Sequence, residues 1–577
     1  MLAELKLKAL LDLVQGSSRE ELAWMNGYVA GFLAAGGSGN PLTQTAAEQV
    51  SVSSAPAVQK ITIAYGTETG NSKKLAADFA AKAKKAGINA KLVNLDQYRL
   101  TDLPKEEYFF AVISTQGEGE PPAGCKKFYD HVHQNGSKLN QLKFGVLALG
   151  DTSYPLYCKA GEDVDTQLHR LGGQRVVSLQ KCDVDYESDA DTWFTNVLQA
   201  LKSVGNAGAP AGSAATAPAT TKKSTGKKIY QGTVLANINL NDIGSDKETH
   251  HIEIAADDLE YQPGDSIGVV AENPAGVVEL IIHLTGIDRN KSFLFRNETY
   301  TVYELLKKKL NLLYMPERVV KQYAAIVKQD IPSTKISLPD ILKIYPVKDA
   351  VQFEEVISIL EPITPRLYSI SSSLENTSGE VHVTVAKDVF VVNDERRCGL
   401  CSDYLLRLPV DTKLEFYVHK NNQFRLPAPD KDVIMIGPGT GIAPFRSFLS
   451  ERDATGATGR NWLFFGEQHF QTDFLYQTEI QNWVQTGLLT NVSLAFSRDQ
   501  SYKIYVQHKI LQWAVEMWQW IQKGAYIYIC GAKEPMSRDV EFALLQVIER
   551  LDNKTSAQAV EYLEQMKAEG RYLKDVY

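Results

Sequence analysis

Apolar runs alternate with helix-like segments through two separate stretches of this 577-residue chain. The first stretch contains five such runs: "ITIAYG", "AKLVNL", "YFFAVIST", "FGVLALG" and "QRVVSL". The second, after Lys431, contains "VIMIG", "WLFFG", "VSLAFS" and "AYIYICG". Short apolar runs with helical segments between them predict the buried strands of parallel, doubly wound sheets. The pattern therefore predicts two α/β units of the Rossmann type.

The pattern changes between these stretches. From Ile229 the runs are shorter and richer in β-formers, as in "VHVTVA" and "KLEFYV", which predicts an antiparallel β-barrel with a helical insert at about 275–360. Segments rich in Ala, Gly, Ser and Pro cannot bury a core and predict linkers. The predicted organisation of this multidomain α/β chain is a helical arm and linker at 1–57, an α/β unit at 58–203, a linker at 204–226, a barrel at 227–430 and a second α/β unit at 431–577.

Composition narrows the possible partners and location. The formal net charge of −8 is opposite to what a nucleic-acid-binding surface needs. Six cysteines are too few for a disulfide framework in so long a chain, and the start has no signal-peptide pattern. The most apolar run, "AWMNGYVAGFLAAGG", is shorter than a membrane-spanning helix. We therefore expect a cytoplasmic protein without a membrane anchor.

The first strand runs into "GTETGNSKK", which supplies hydroxyls, an amide and backbone N–H groups at the start of a helix. This is a physical arrangement suited to a phosphate, although an ordinary capped turn has the same composition. Two further loops, "STQGEGEPP" and "LGDTSYPLYC", follow neighbouring predicted strands. Since the carboxyl ends of parallel strands meet at one edge, the three loops predict a single crevice there.

The barrel region contains "PRLYSISSS", "TVA" and "GLCS", an arginine, an aromatic ring and serines close together in sequence. Cys398 and Cys401 form a single CxxC pair without a second pair, so we expect no zinc or iron–sulfur site. In the last unit, "GPGTG" lies between a strand and a helix, where glycines let the backbone approach a pyrophosphate. Arg498 and Lys503 follow, and such a cation pair selects a 2′-phosphate, which favours NADPH over NADH.

These motifs together resemble known flavoproteins. The first unit resembles flavodoxin, which implies FMN, and the barrel with the last unit resembles ferredoxin-NADP reductase, which implies FAD and NADPH. Their order resembles the diflavin reductases. Within that family the chain is most similar to the flavoprotein subunits of assimilatory NADPH-sulfite reductase, on "REELAWMNGYVAGFL", Gln116 in "STQGEGEPP" and the ending "DVY". It departs at Phe390, where a tyrosine is usual, and at Leu573-Lys574 before the ending.

The resemblance implies a role for each motif. Arg366 would pair with the FAD pyrophosphate, Tyr368 would lie on its ring, and Tyr154 would stack on FMN. The implied FMN residues are Thr67, Glu68, Thr69, Gly70, Asn71, Ser72, Ser114, Thr115, Gln116, Gly117, Leu149, Gly150, Asp151, Thr152, Ser153, Tyr154, Tyr157 and Cys158. The implied FAD residues are Arg366, Leu367, Tyr368, Ser369, Thr384, Val385, Ala386, Phe390, Gly399, Leu400, Cys401 and Ser402.

The implied NADPH residues are Gly439, Thr440, Ser497, Arg498, Lys503, Ile504, Tyr505, Val506, Gln507, Asp539 and Tyr577. The implied hydride-transfer cluster is Ser369, Cys530, Asp575 and Tyr577. Electrons would pass from NADPH through FAD and FMN to a partner.

The chain has no cysteine set for siroheme and its iron–sulfur cluster. The resemblance therefore implies that a siroheme and iron–sulfur haemoprotein partner reduces sulfite to sulfide, and that the N-terminal arm forms a homo-oligomer. Two alternatives stay open. One is a diflavin reductase serving another haem or cobalamin acceptor, and the other is a non-catalytic flavin-binding scaffold.

Overall fold

The computed structural model describes residues 58–67, 70–116, 119–134, 137–151, 156–183, 186–203, 228–295, 298–332, 334, 336–392 and 395–577. The predicted helical arm and the two predicted linkers lie outside these residues, so they stay predictions.

The first unit is a parallel sheet with two hydrophobic cores. Its elements are β1 (Lys60–Gly66), α1 (Asn71–Lys85), β2 (Asn89–Asn94), β3 (Tyr108–Ser114), α2 (Lys126–Gln134), β4 (Lys143–Leu149), α3 (Lys159–Arg170), β5 (Gln174–Arg175), β6 (Gln180–Cys182) and α4 (Glu187–Ser203). The strand order is β2-β1-β3-β4-β5, and β6 also pairs with β4. Along β3, Phe110 packs with α1 and α4, whereas its neighbour Phe109 packs with α2 and α3. This alternation places helices on both faces of the sheet.

The run "QRVVSL" differs from its prediction as one strand. The structure has two short strands there, β5 and β6, with residues 176–179 between them. In this gap the indole N–H of Trp193 donates to the backbone carbonyl of Ser178 at 3.1 Å. The carbonyl is thus bound by a side chain rather than by a neighbouring strand.

The middle unit combines an antiparallel sheet with a helical segment. Its elements are β7 (Ile229–Asn239), β8 (Thr249–Ala255), β9 (Ser266–Val269), α5 (Ala275–Thr285), β10 (Ser292–Phe295), β11 (Glu298–Thr301), α6 (Val302–Lys308), α7 (Glu317–Val327), α8 (Leu338–Ile344), α9 (Ala350–Ile359), β12 (Arg366–Ser369), β13 (Glu380–Ala386), β14 (Val389–Val392), β15 (Glu395–Cys398), α10 (Leu400–Leu406) and β16 (Lys413–His419). The sheet order is β12-β9-β16-β7-β8-β13. An isolated antiparallel bridge between Ile370 and Val383 joins the segment after β12 to β13. Helices α5 to α9 bury a core of their own beside the sheet.

The last unit is a parallel sheet of five strands. Its elements are β17 (Val433–Ile436), α11 (Ala443–Ala454), β18 (Asn461–Glu467), α12 (Phe470–Asp473), α13 (Gln477–Thr486), β19 (Asn491–Phe496), α14 (Val506–Gln512), α15 (Ala514–Gln522), β20 (Tyr526–Gly531), α16 (Arg538–Leu551), α17 (Ser556–Ala568) and β21 (Tyr572–Val576). The order is β19-β18-β17-β20-β21. The sequence pattern did not predict β21, which pairs with β20 and places Asp575 opposite Cys530.

Among the described helices, none combines the length and the apolar character that crossing a bilayer requires.

A buried polar network joins the middle sheet to the last unit. Arg446 on α11 donates to the carbonyl of Ser371 at 2.7 Å and pairs with Glu479 on α13 at 2.7 Å. The hydroxyl of Tyr476 lies 3.0 Å from Nδ1 of His251 on β8. Burial, together with the nearby Arg446 charge, lowers the pKa of His251 to about 3. The network therefore holds this histidine neutral.

The neutral state of His251 predicts a pH-dependent stability. The pKa of His251 is about 3 in the folded chain, against about 6.5 when unfolded. Between these values the unfolded chain binds a proton that the folded chain does not, so the free energy of unfolding falls as the pH falls. The expected slope from this residue is about 1.4 kcal/mol per pH unit below about pH 6.5, and its contribution is fully present above that pH.

Denaturant titrations at about pH 7, 6 and 5 measure this slope. His251→Gln keeps a hydrogen-bonding side chain but cannot titrate, so it is expected to lose that part of the slope even though it lowers stability at neutral pH. His133→Gln, at an exposed position on α2, is the matched control. An unchanged slope in His251→Gln would contradict the assignment.

Candidate functional site

The loop after β1 has the local geometry of an anion-binding site. Oγ1 of Thr67 accepts a hydrogen bond from the backbone N–H of Gly70 at 2.9 Å. Gly70 has a φ of 95°, a left-handed conformation that favours glycine, and α1 begins at the next residue, Asn71. The first turn of α1 carries no acidic residue. Free N–H groups at a helix start favour a bound phosphate.

Ser72 supports this interpretation. Its side chain is fully buried, and its hydroxyl has no hydrogen-bond partner among the described residues. A buried hydroxyl without a partner is costly, so it indicates a group that a ligand satisfies. Glu68 and Thr69, predicted in the same loop, lie outside the described residues.

The two other predicted loops lie beside the first at the sheet edge. In register, Gly66 lies opposite Ile113, and Ser114 lies opposite Leu149, so the ends of β1, β3 and β4 are neighbours. The N–H of Thr115 donates to the carbonyl of Leu149 at 2.9 Å. These contacts bring the three strand ends to one crevice.

The loop after β4 turns sharply at Cys158. Its φ is 58°, and its thiol donates to the carbonyl of Ala148 at 3.2 Å. A Cβ on Gly150 would lie 2.7 Å from the backbone nitrogen of Cys158, so only glycine fits this packing. Four predicted residues, Gly117, Thr152, Ser153 and Tyr154, lie outside the described residues. The choice of Tyr154 as the stacking ring therefore stays a prediction.

Strand β12 contains predicted FAD residues that supply a positive charge and an aromatic ring. Arg366 is exposed at the start of β12. Burial raises the pKa of Tyr368, whose hydroxyl interacts with Cys401, and burial raises the pKa of that thiol to about 11. Phe390, on β14, has 44% of its surface exposed. A cation near the aromatic ring of Tyr368 matches what a pyrophosphate and a flavin ring need.

Two other predicted FAD residues have structural contacts of their own. Thr384 is buried, and its hydroxyl lies 2.6 Å from the hydroxyl of Tyr476. Its side chain thus belongs to the network between the units, and its backbone pairs with His251 of β8. The hydroxyl of Ser402 accepts from the N–H of Asp388 at 3.1 Å and donates to the carbonyl of Gly399 at 3.0 Å. This pair fixes the start of α10.

The glycine-rich loop after β17 packs tightly against β20. A Cβ on Gly441 would lie 2.2 Å from the carbonyl oxygen of Cys530, and Gly439 has a φ of 60°. The loop leads into α11. Close backbone approach at the start of a helix is the arrangement that a pyrophosphate requires.

The predicted 2′-phosphate residues lie next to this loop. Ser497 and Arg498 follow β19, and their N–H groups donate to the carbonyls of Glu467 and Gln468, each at 2.9 Å. The side chains of Arg498 and Lys503 are exposed and available to an anion. On the next helix, Gln507 donates to Asp539, another predicted residue, at 3.4 Å.

The structure brings the four residues of the implied hydride-transfer cluster together. The hydroxyl of Ser369, on β12, donates to Oδ2 of Asp575, on β21, at 3.2 Å. Cys530 lies opposite Asp575 in the β20–β21 pair. Burial raises the pKa of Asp575, and burial together with the Asp575 charge raises that of the Cys530 thiol. Cys530 is therefore a neutral thiol beside a carboxylate.

The C-terminal residue is anchored beside this cluster. The backbone N–H of Tyr577 donates to the carbonyl of Gly531 at 3.1 Å, and its carbonyl accepts from the N–H of Lys533 at 2.9 Å. The Tyr577 hydroxyl lies 2.6 Å from Oγ1 of Thr440 in the glycine-rich loop. The chain end thus connects the cluster to that loop.

Sequence reasoning missed Asn421. Its Nδ2 donates to Oδ1 of Asp575 at 3.4 Å, so it binds the carboxylate oxygen that Ser369 does not. Asn421 lies after β16 in "HKNNQF", a polar loop without a motif. No local signal could have linked it to a residue near the chain end.

Comparisons with known proteins cover nearly the whole chain. Family models match for flavodoxin at residues 63–193, the FAD binding domain at 304–404 and the oxidoreductase NAD-binding domain at 435–541. The sulfite reductase (NADPH) flavoprotein alpha-component of Bacillus subtilis (strain 168) is 38% identical, covering 96% of this chain and 95% of its own length. The chain belongs to this flavoprotein family.

Other relatives in the family agree. The proteins of the same description from Shewanella sp. (strain ANA-3) and Escherichia coli O157:H7 are each 37% identical, and the first covers 100% of this chain and 98% of its own length. The predicted flavodoxin-like, FAD-binding and NADP-binding fold classes are confirmed, as is the predicted resemblance to this family. The assignment of individual residues to each cofactor remains a proposal.

One group among the described residues has the composition of a metal site. Ligand atoms of His251, Glu253 and His382 lie within 4.8 Å of one another. Arg446 donates to Nδ1 of His382 at 3.3 Å, which leaves the ring proton on Nε2 facing Glu380 at 3.1 Å. A metal ligand needs a free lone pair, so these contacts indicate a hydrogen-bond network.

Proposed function

We propose that this chain is the electron-delivering flavoprotein of an NADPH-dependent sulfite reductase. Electrons pass from NADPH to FAD, then to FMN, and then to a partner siroheme and iron–sulfur protein that reduces sulfite to sulfide. The observation that carries this is the contact between Ser369 and Asp575, 3.2 Å. It joins a strand of the FAD-binding unit to a strand of the NAD-binding unit at one reaction site.

The cofactors and the residues have separate tasks. When bound, the flavins can accept a hydride and pass on single electrons. Asp575 stabilises the positive charge that develops on the nicotinamide as it loses hydride. Ser369 and Asn421 hold that carboxylate from both sides, and the neutral Cys530 thiol packs beside it without adding charge. The ring of Tyr577 would cover the flavin face that the nicotinamide must reach.

The cofactor residues follow the three sites. We assign the FMN phosphate to the Thr67–Ser72 loop, the FAD pyrophosphate to Arg366 and the NADPH 2′-phosphate to Arg498 and Lys503. The units at 58–203, 227–430 and 431–577 would carry FMN, FAD and NADPH respectively. We further propose that the arm at 1–57 forms a homo-oligomer and that the protein is cytoplasmic.

Flavin content and electron delivery test this function. The purified chain is expected to contain one FMN and one FAD, to reduce ferricyanide with NADPH, and to support sulfide production with the siroheme partner. Replacing Thr69 and Asn71 by Ala should remove FMN and partner-dependent activity while ferricyanide reduction continues. A single flavin type, or the loss of both activities in that variant, would contradict the modular route.

Arg498→Ala is expected to weaken NADPH binding at least about tenfold and to leave NADH almost unchanged. Only NADPH carries the extra phosphate, and a charge-assisted hydrogen bond contributes about 1.5 kcal/mol or more. Steady-state KM values for both nucleotides measure the effect, with NADH as the internal control. An equal loss for both nucleotides would place Arg498 elsewhere.

A further inference from the structure

A short loop contacts both the hydride-transfer cluster and the first unit. We call residues 420–425 the bridge loop. Within it, Asn421 donates to Asp575 at 3.4 Å. Two residues later, Nε2 of Gln423 donates to Oδ1 of Asn71, the residue that begins α1. Two peptide steps span at most about 7 Å. The bridge loop therefore brings the proposed FMN-binding loop close to the reaction site.

Gln423 makes a second contact with the first unit. Its side chain also has a polar interaction with the hydroxyl of Tyr186. Tyr186 lies just before α4, is only 8% exposed and packs in the core shared with α1. Asn71 follows β1 and Tyr186 follows β6, so both residues that Gln423 contacts lie after strands of the parallel sheet. Gln423 thus contacts the edge of the sheet that carries the proposed FMN loops.

The bridge loop holds Gln423 from both sides. Oδ1 of the buried Asp265 accepts from the N–H of Asn421 at 2.9 Å and from Nη2 of Arg425 at 2.5 Å. Phe424, next to Gln423, is fully buried in the core of the last unit. Because its neighbours are fixed, the position of the Gln423 side chain is set by the loop.

We propose that Gln423 is the docking contact through which the FMN-binding unit seats against the other two units for internal electron transfer. The proposal rests on the proposed function, since it needs FMN at the first sheet edge. One amide with a hydrogen bond to Asn71 and a polar interaction with Tyr186 gives a weak contact. A weak contact suits a unit that must also leave to deliver electrons to a partner.

The test compares Gln423→Ala with Asn422→Ala in the full-length protein carrying both flavins. Asn422 is exposed in the same loop and is the matched control. Reduction of a one-electron haem acceptor, cytochrome c, reports on FMN, and enzyme stripped of FMN verifies that dependence. Ferricyanide reduction reports on FAD. Gln423→Ala is expected to lower the first rate roughly two- to tenfold and to leave the second unchanged, because one docking contact is lost.

Small-angle X-ray scattering gives a readout independent of activity. The radius of gyration of Gln423→Ala is expected to exceed that of the wild type, while Asn422→Ala matches the wild type. Tyr186→Phe removes the hydroxyl that interacts with Gln423 and should shift both measurements in the same direction. Unchanged cytochrome c reduction and an unchanged radius in Gln423→Ala would overturn the docking proposal. A wild type that cannot pass electrons to cytochrome c would instead refute the proposed function.

Discussion

Asp575→Asn is expected to lower kcat for NADPH-dependent ferricyanide reduction on the order of a hundredfold, with a much smaller change in KM. The amide can keep both hydrogen bonds, because its oxygen accepts from Asn421 and its NH₂ group donates to the hydroxyl of Ser369. The substitution therefore removes the negative charge and leaves the geometry. The nicotinamide is neutral in bound NADPH and gains positive charge as the hydride leaves, so the loss falls on kcat.

The pH profile provides a second readout for Asp575. Burial raises the pKa of this carboxyl, so the wild-type rate is expected to fall on acidification at a pH above the ordinary range for an aspartate. Asp575→Asn should lack this acidic limb. Lys574→Met is the matched control, because the neighbouring side chain pairs with Glu541 on α16 instead. Equal kcat values in wild type and Asp575→Asn would remove Asp575 from the reaction.

The architecture could be predicted from the sequence because it depends on local patterns of apolar and polar residues. Buried strands such as "YFFAVIST" and "VIMIG" carry continuous apolar runs, since helices cover both faces of their sheets. The loop at Thr67 to Asn71, the proposed phosphate site, could be predicted for the same reason. Its hydroxyl, glycine and helix start are adjacent in sequence, and the hydrogen bond from Gly70 to Thr67 spans three residues.

Strand β21 could not be predicted from such local patterns. Its five residues, "YLKDV", combine one buried tyrosine with charged and partly exposed positions, because the strand lies at the edge of its sheet. Such a segment has no continuous apolar run to identify it. Asp575 and Tyr577 were identified through family resemblance, whereas their position beside Cys530 follows from the β20–β21 pairing.

Contacts between distant segments could not be predicted from either segment. Asn421 and Asp575 are 154 residues apart, and Gln423 and Asn71 are 352 residues apart. Each pair depends on how whole units pack, and a polar loop such as "HKNNQF" has the same composition in any surface turn. Thr384 is a further example. The sequence predicted it as a cofactor residue, and nothing in that prediction indicated its hydroxyl contact with Tyr476.

Tyr577→Ala is expected to raise kcat/KM for NADH by roughly tenfold to a hundredfold and to change that for NADPH far less. Stacking of an aromatic side chain on a ring system contributes about 1–3 kcal/mol, which a nicotinamide must overcome to reach the same face. The proposed contacts of the NADPH 2′-phosphate with Arg498 would help displace the ring, whereas NADH lacks that phosphate. Removing the ring therefore favours NADH more.

The structure makes this substitution a clean test of the ring. The Tyr577 backbone is bound to Gly531 and Lys533, and these bonds do not depend on the side chain. Two-thirds of the residue's surface, 66%, is exposed and available for stacking. Tyr577→Phe is the control, because it keeps the ring and loses only the hydroxyl contact with Thr440. If the ring is what competes, Phe retains the wild-type preference for NADPH and Ala loses it.

NADP⁺ release should also slow in the Ala variant, since no ring displaces the product. An unchanged NADPH to NADH ratio in Tyr577→Ala would show that the terminal ring plays no part in nucleotide choice.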